Sequence, residues 1–272
     1  MTHMSEPQRR FPDAREDLKR WDRSPDTPQT RSPSYRLAFN DADFLTRDEL
    51  RPVRLQLELL KAEMSLAERG IVSTIVMLGS ARIPDPAAAA DAKPGLAALA
   101  DYYEQARVFA RLGAERALAA DNRQDVICTG GGPGIMEAGN RGAAEVGGIS
   151  ISLNIVLPHE QRPNLYGTPD LSFNFHYFAV RKMHFLMRAR AIAVFPGGFG
   201  TLDELFEVLT LVQTGRMARL PILLFGESFW RSVVTWQFLV DAGTINAADL
   251  DLFSYVATPE EAWARIDAWR RP

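Results

Sequence analysis

"AIAVFPGGFGTLDELFEVLTLVQ", Ala191 to Gln213, joins two periodicities through a turn. Ala191 to Phe195 is apolar without alternation, the pattern of a strand buried on both faces. From about Gly200 to Thr214, apolar side chains recur at steps of three and four, the pattern of a helix. Between them Pro196, Gly197, Gly198 and Gly200 leave a turn whose backbone is almost bare.

The same sequence of strand, small residues and helix repeats on either side. Six further apolar runs are "IVSTIVMLGS", "DVICTGGG", "GISISLNI", "LSFNFHYFAV", "PILLFG" and "LFSYVAT". Helical stretches are predicted at about 97–120, 134–146, 181–189, 228–242 and 259–270. Doubly apolar strands alternating with helices predict an α/β fold: a single doubly wound, Rossmann-like parallel sheet with helices on both faces, over 71–272. Upstream, Phe44, Leu45, Leu50, Val53, Leu57, Leu60 and Met64 recur at helical spacing. This predicts an N-terminal helical segment over 37–70, interrupted near Pro52. Residues 1–36 are rich in Pro, Ser, Asp and Arg without periodicity, and are expected to form a disordered extension.

With 272 residues, 46% of them hydrophobic and 24% charged, the chain can bury a sizeable core. A net charge of -3 supplies no overall basic field, so neither nucleic acid nor an anionic membrane is an expected partner. No apolar run approaches the roughly 18 residues that span a bilayer, and the first forty residues hold no apolar leader core, so a cytoplasmic location is expected. Cys128 stands alone in the buried-looking "DVICTG" and cannot form an internal disulfide. No His, Cys, Asp or Glu cluster has zinc spacing, so no metal is expected.

In sheets of this class, ligands sit outside the carboxyl ends of the strands, where the strand order reverses. Three glycine-rich loops follow strands: "LGSAR" (78–82), "TGGGPGIMEAGNRGA" (129–143) and "PGGFGTLDE" (196–204). Bare amides at the start of a helix suit an anion such as a phosphate monoester. The "TGGGPG" turn is also open to a purely structural reading, in which glycine allows close strand–helix packing. It is not a dinucleotide fingerprint, and neither a triphosphate-binding loop nor a serine-hydrolase elbow occurs.

The acids after the third loop admit two readings. Thr201 to Glu204 matches a capping box, in which threonine and glutamate satisfy each other's backbone N–H groups. Alternatively, Glu204 faces the reacting centre of a ligand whose phosphate is held one helical turn earlier. A helical projection places Leu202, Leu205, Phe206 and Leu209 toward the sheet, and Glu204 and Glu207 on the other side with Val208 and Leu211. That second apolar face predicts a covering subunit that shields the carboxylate. Arg181, with its planar fork of donors, could hold a carboxylate or purine edge, or be a solvated charge at a helix end. His176 and His184 are read as surface or packing histidines.

These residues together resemble the LOG family, the cytokinin riboside 5'-monophosphate phosphoribohydrolases often mislabelled lysine decarboxylases. The family hallmark P-G-G-x-G-T-x-x-E is filled by Pro196, Gly197, Gly198, Gly200, Thr201 and Glu204, and its upstream Arg-Lys pair by Arg181 and Lys182. "GGGPGIMEA" is a third match, and "GSAR", with Gly79 and Ser80, resembles the family's first phosphate-side loop. The resemblance implies hydrolysis of the N-glycosidic bond of a purine or N6-modified adenine nucleoside 5'-monophosphate, giving free base and ribose 5-phosphate.

Carried over by position, Glu204 and Arg181 would be the catalytic pair. Gly131, Gly132, Gly198 and Gly200, with Thr201, would bind phosphate or ribose. Gly79, Ser80, Gly134, Lys182 and Gly197 would complete the substrate site, and Glu137 would lie near the ribose hydroxyls. No cofactor is implied: pyridoxal chemistry needs a Schiff-base lysine, and three of the four lysines, Lys19, Lys61 and Lys93, lie outside these motifs. Family members are dimers or larger assemblies, so a homodimer or higher homo-oligomer is expected. The competing reading on the same fold is a non-catalytic nucleotide or molybdenum-cofactor-type carrier, which would keep the glycines without needing both Arg181 and Glu204.

Overall fold

The structure, a computed structural model, describes residues 11–158 and 162–269. Seven strands, β1 (Thr74–Leu78), β2 (Val126–Thr129), β3 (Ser150–Ile155), β4 (Ser172–Phe175), β5 (Ala189–Val194), β6 (Ile222–Phe225) and β7 (Ser254–Val256), form one sheet in the order β4-β3-β2-β1-β5-β6-β7. Every pairing is parallel. All seven apolar runs thus become strands of the expected doubly wound α/β sheet, and β1, β2 and β6 are buried at every position because layers cover both faces. The order reverses between β1 and β5, whose register pairs Leu78 with Val194. The loops after these two strands therefore leave the sheet side by side.

The helices are α1 (Ala14–Trp21), α2 (Ala42–Leu45), α3 (Arg51–Glu68), α4 (Pro94–Ala97), α5 (Asp101–Ala119), α6 (Ile135–Glu145), α7 (Phe178–Met187), α8 (Phe199–Gln213), α9 (Glu227–Val233), α10 (Trp236–Asp241) and α11 (Pro259–Trp269). The chain divides into compact units 1–57 and 58–272. In the first, α1 has no buried residue although Asp13 caps it. Within α3 the helical period is as expected but its apolar stripe faces outward: Leu60 and Met64 are exposed, whereas Ala62 and Leu66 are buried.

On one side of the sheet Phe195 stacks on Phe225 at 4.2 Å and Phe109 stacks on Trp263 at 5.1 Å. Trp263 also donates its indole N–H to the Phe109 carbonyl at 3.0 Å, so its one polar group is satisfied in the core. Phe195 is fully buried directly before Pro196, which fixes where the third glycine loop begins. Cys128 is buried in β2, and burial raises its thiol to about 12, leaving it an inert core residue.

Two boundaries differ from the sequence reading. The helix expected over 228–242 is two helices, broken at the β-branched pair Val234 and Thr235, which leave helical backbone, Val234 being extended. The run "LSFNFHYFAV" leaves the sheet after Phe175, and α7 starts at Phe178.

Candidate functional site

Three loops are laced at the switch point through Ser80. Its N–H donates to the Pro196 carbonyl at 3.0 Å, and its own carbonyl accepts the Ile135 N–H at 3.1 Å. Ser80 thereby ties the loop after β1 to both other glycine turns. Gly79 lies against Ile135, where an added Cβ would come within 2.6 Å of that side chain. Gly134 has φ +66°, and a Cβ there would run into the Ser80 carbonyl, so both features require glycine.

The turn after β2 is held from beneath by buried polar groups. Thr129 Oγ1 donates to Asn140 Oδ1 at 2.8 Å and accepts the Gly131 N–H at 3.0 Å. Asn164 donates its side-chain amide to the carbonyls of Gly131 and Gly132 and to Asn140 Oδ1. The Gly131 amide proposed for phosphate is thus taken by Thr129, and the first amide of α6 by Ser80. Neither asparagine is a sequence candidate: Asn164 reaches in from the loop after β3 and leaves no local signal, and Asn140 lies on α6 within the quoted 129–143 stretch, where nothing local marks it as a buttress.

The turn after β5 is different. The N-cap of α8 is Gly198, with no side-chain cap, and Gly198 and Gly200 have open space where a Cβ would stand. Among the described residues no hydrogen bond engages the N–H groups of Gly198, Phe199, Gly200 or Thr201. Four such donors at the start of a 15-residue helix are the kind of group that can receive an anion. Gly197 is needed for packing, because a Cβ would meet the buried Thr201 hydroxyl.

The capping box is not formed. Helix α8 begins two residues before Thr201, so the threonine lies inside the first turn, and Glu204 turns to a different partner. Arg181 Nη1 donates to Glu204 Oε1 at 3.0 Å, while Arg181 Nε donates to the Leu153 carbonyl of β3 at 2.6 Å. Arg181 is accordingly buried, not a solvated helix-end charge. Burial raises the Glu204 carboxyl above the ordinary carboxylate value, against the pull of the Arg181 guanidinium. Burial likewise lowers Arg181, against the attraction of Glu204.

The face assignment for α8 is also corrected. Its buried stripe is Thr201, Leu205, Val208, Leu209 and Val212, whereas Leu202 is half-buried and Phe206 exposed. Val208 belongs to the chain's own core, and Glu204 is shielded within the chain by α7.

The structure does not bring every candidate to this pair. Lys182 Nζ sits 3.2 Å from both Asp203 and Glu207, and although burial opposes it, these carboxylates hold its pKa above the usual value. Glu137 accepts the Tyr103 hydroxyl at 2.9 Å and is engaged between α5 and α6. His184 is buried against Phe175 at 5.4 Å between ring centroids, and burial lowers its pKa; His176 is exposed. A pyridoxal group does not fit, because Lys182, the one lysine in the motifs, is committed to two carboxylates. Among the described residues no cluster could hold a metal ion, and no helix is long and apolar enough to cross a membrane.

A family model described as "Possible lysine decarboxylase" matches residues 136–266. The chain is similar to the cytokinin riboside 5'-monophosphate phosphoribohydrolase LOG7 of Arabidopsis thaliana, 31% identical over 150 residues that are 53% of this chain and 64% of the relative. It is also similar to the probable phosphoribohydrolase LOGL5 of Oryza sativa subsp. japonica, 28% identical over 163 residues, 53% of this chain and 65% of that one. The chain thus spans less than two thirds of the length of these relatives.

Among solved structures, the molybdenum cofactor binding protein of Rippkaea orientalis aligns with a TM-score of 0.48 at 15% identity, over 74% of this chain and 98% of that one. The Moco carrier protein of Chlamydomonas reinhardtii aligns with 0.41 at 19% identity, over 72% and 96%. Neither likeness is strong enough to speak to function. The chain is similar to members of the LOG family that its motifs resemble, and the segment matched by the family model contains both the Arg181–Lys182 pair and the PGGFGT turn.

Proposed function

We propose that this protein hydrolyses the N-glycosidic bond of a purine or N6-modified adenine nucleoside 5'-monophosphate, releasing free base and ribose 5-phosphate. The observation that carries this reading is the buried Arg181–Glu204 pair, whose carboxylate lies about one turn along α8 from backbone N–H groups suited to an anion. In this reading the 5'-phosphate takes the free amides at the start of α8. Glu204 follows Gly200 by four residues, a rise of about 6 Å, comparable with the reach from a 5'-phosphate to the anomeric carbon.

Cleaving that bond builds oxocarbenium character on the sugar, which the Glu204 carboxylate stabilises while it orients or deprotonates water. Its raised pKa makes it a stronger base than an exposed glutamate. Arg181 does not supply a proton at neutral pH; it fixes the carboxylate and offers its remaining donors to the substrate. Binding energy from the distant phosphate positions the reacting centre. The proposed active assembly is a homodimer or higher homo-oligomer in which a second copy covers the outer face of α8.

A panel of nucleoside 5'-monophosphates and the matching nucleosides, assayed for free base and ribose 5-phosphate, tests this. Purine monophosphates are expected to be cleaved and the unphosphorylated nucleosides to be much poorer substrates. Tight nucleotide binding without base release would support the carrier reading and end the hydrolase proposal.

A further inference from the structure

Helix α7 carries Arg181 in its first turn, yet the sequence gives this helix no cap of its own. Its N-cap residue is Tyr177, whose side chain makes no capping hydrogen bond. The missing acceptor comes from 118 residues upstream, on the part of α3 that belongs to the sheet unit. Glu58 Oε1 accepts the His176 N–H at 2.7 Å, and Oε2 accepts the Tyr177 N–H at 3.2 Å. One carboxylate therefore satisfies the N–H of the N-cap residue and that of the residue before it, and places its charge at the positive end of a ten-residue helix.

The connection to the candidate site runs through backbone. The Tyr177 carbonyl accepts the Arg181 N–H at 3.1 Å, so Glu58 and Arg181 hold opposite sides of the same residue. The far end of α7 is tied to α3 as well. Arg188 makes a two-point contact with Glu63 at 2.6 and 2.7 Å and donates its Nε to the Ile71 carbonyl at 3.2 Å. Between these ties Arg181 has little freedom, with Nε on Leu153 and Nη1 on Glu204.

We propose that Glu58 is a positioning residue for Arg181: its carboxylate fixes the start of α7 and so the place of the guanidinium relative to Glu204. Glu58 lies outside the segment matched by the family model, 136–266, and outside every motif named above. The proposal gives the second half of α3 a task in the site. The catalytic part of its test rests on the hydrolase reading, whereas the placement of Arg181 is read independently of it.

Glu58→Ala removes both acceptors, and Glu58→Gln keeps one carboxamide oxygen for one of the two N–H groups. Each full-length variant is assayed for base release from purine 5'-monophosphates and for its folded fraction. The Arg181 Nε–H resonance, assigned in the parent by Arg181→Lys, is followed by nitrogen-15 NMR. The expected result for Glu58→Ala is a kcat per folded molecule about tenfold to a hundredfold lower, with KM within about twofold, because small displacements of a catalytic group carry penalties of that size. Glu58→Gln should recover part of this loss, and the Arg181 resonance should shift or broaden in Glu58→Ala.

A kcat per folded molecule equal to the parent's, together with an unmoved Arg181 resonance, would overturn the proposal. If Glu58→Ala does not fold, the same comparison on Glu58→Gln decides. If the parent releases no base from any nucleotide, the hydrolase reading fails, and the Arg181 resonance alone decides whether Glu58 positions it.

Discussion

Arg181 Nη1 lies 3.0 Å from Glu204 Oε1, with the two side chains only 9% and 15% exposed. At that burial, removing one partner leaves the other charge without compensation, at a cost of about 3–5 kcal/mol. Glu204→Gln keeps the shape and an acceptor oxygen for Nη1. It should fold and bind nucleotide, with base release reduced by about 10²- to 10⁴-fold, the range for loss of a positioned general base. Arg181→Met strands the carboxylate and should be destabilised in urea by about 3–5 kcal/mol, and adding Glu204→Gln should recover part of that loss. Undiminished turnover by Glu204→Gln would remove this residue from the chemistry.

The pH dependence follows from the same burial. Folding raises the Glu204 pKa, so the neutral form is favoured and the group's contribution to stability, present at low pH, is lost as pH rises through the folded value. Base catalysis needs the ionised form. The kcat/KM profile should therefore rise through an acid limb lying above the ordinary carboxylate range, and Glu204→Gln should abolish that limb. An acid limb at the usual glutamate value would mean that the group in control is exposed.

Gly130 sets aside the space that the guanidinium occupies. An added Cβ would stand 2.5 Å from Arg181 Nη2 and 2.6 Å from Met136 Sδ, so Gly130→Ala must displace both side chains. The expected cost is about 1–3 kcal/mol of overpacking, accompanied by a fall in kcat because Arg181 has no slack. Gly95→Ala is the matched control, since nothing lies within 4 Å of its Cβ position, and it should leave stability and turnover near the parent's. Calorimetry and steady-state kinetics on the two variants separate these expectations.

Much of the fold was legible because each strand is buried on both faces and so reads as an unbroken apolar run; β1 and β2 are plain cases. The glycine turn after β2 was legible for a similar reason, since the positive φ of Gly131 and Gly134 favours glycine there. What failed depended on partners far along the chain. Helix α7 starts where Glu58 caps it, and no residue near Tyr177 announces that. Glu204 satisfies a local capping pattern and a distant arginine equally well on paper, and the helix start at Gly198 decides between them. The phase of α8 was misjudged because Leu202, Leu205, Phe206, Val208 and Leu209 surround most of the helix, so periodicity could not choose the inner face.

That misjudged phase bears on assembly. With Val208 and Leu205 inside, the apolar residues left on the outer side of α8 are Phe199, which is 94% exposed, Phe206, and the half-buried Leu202 and Leu211. Phe206 is partly covered by Trp236, with ring centroids 5.8 Å apart, whereas Phe199 stands almost wholly exposed. Exposed apolar surface of this kind is relieved when another copy covers it. Leu202→Glu places a charge on this face without touching the buried stripe; on the homo-oligomer proposed above, it should sediment as a smaller species than the parent at unchanged folded content, measured by sedimentation velocity and circular dichroism. If the variant sediments as the parent does, the outer face of α8 is not the contact between copies, and the shielding of Glu204 is supplied by Arg181 and the core alone.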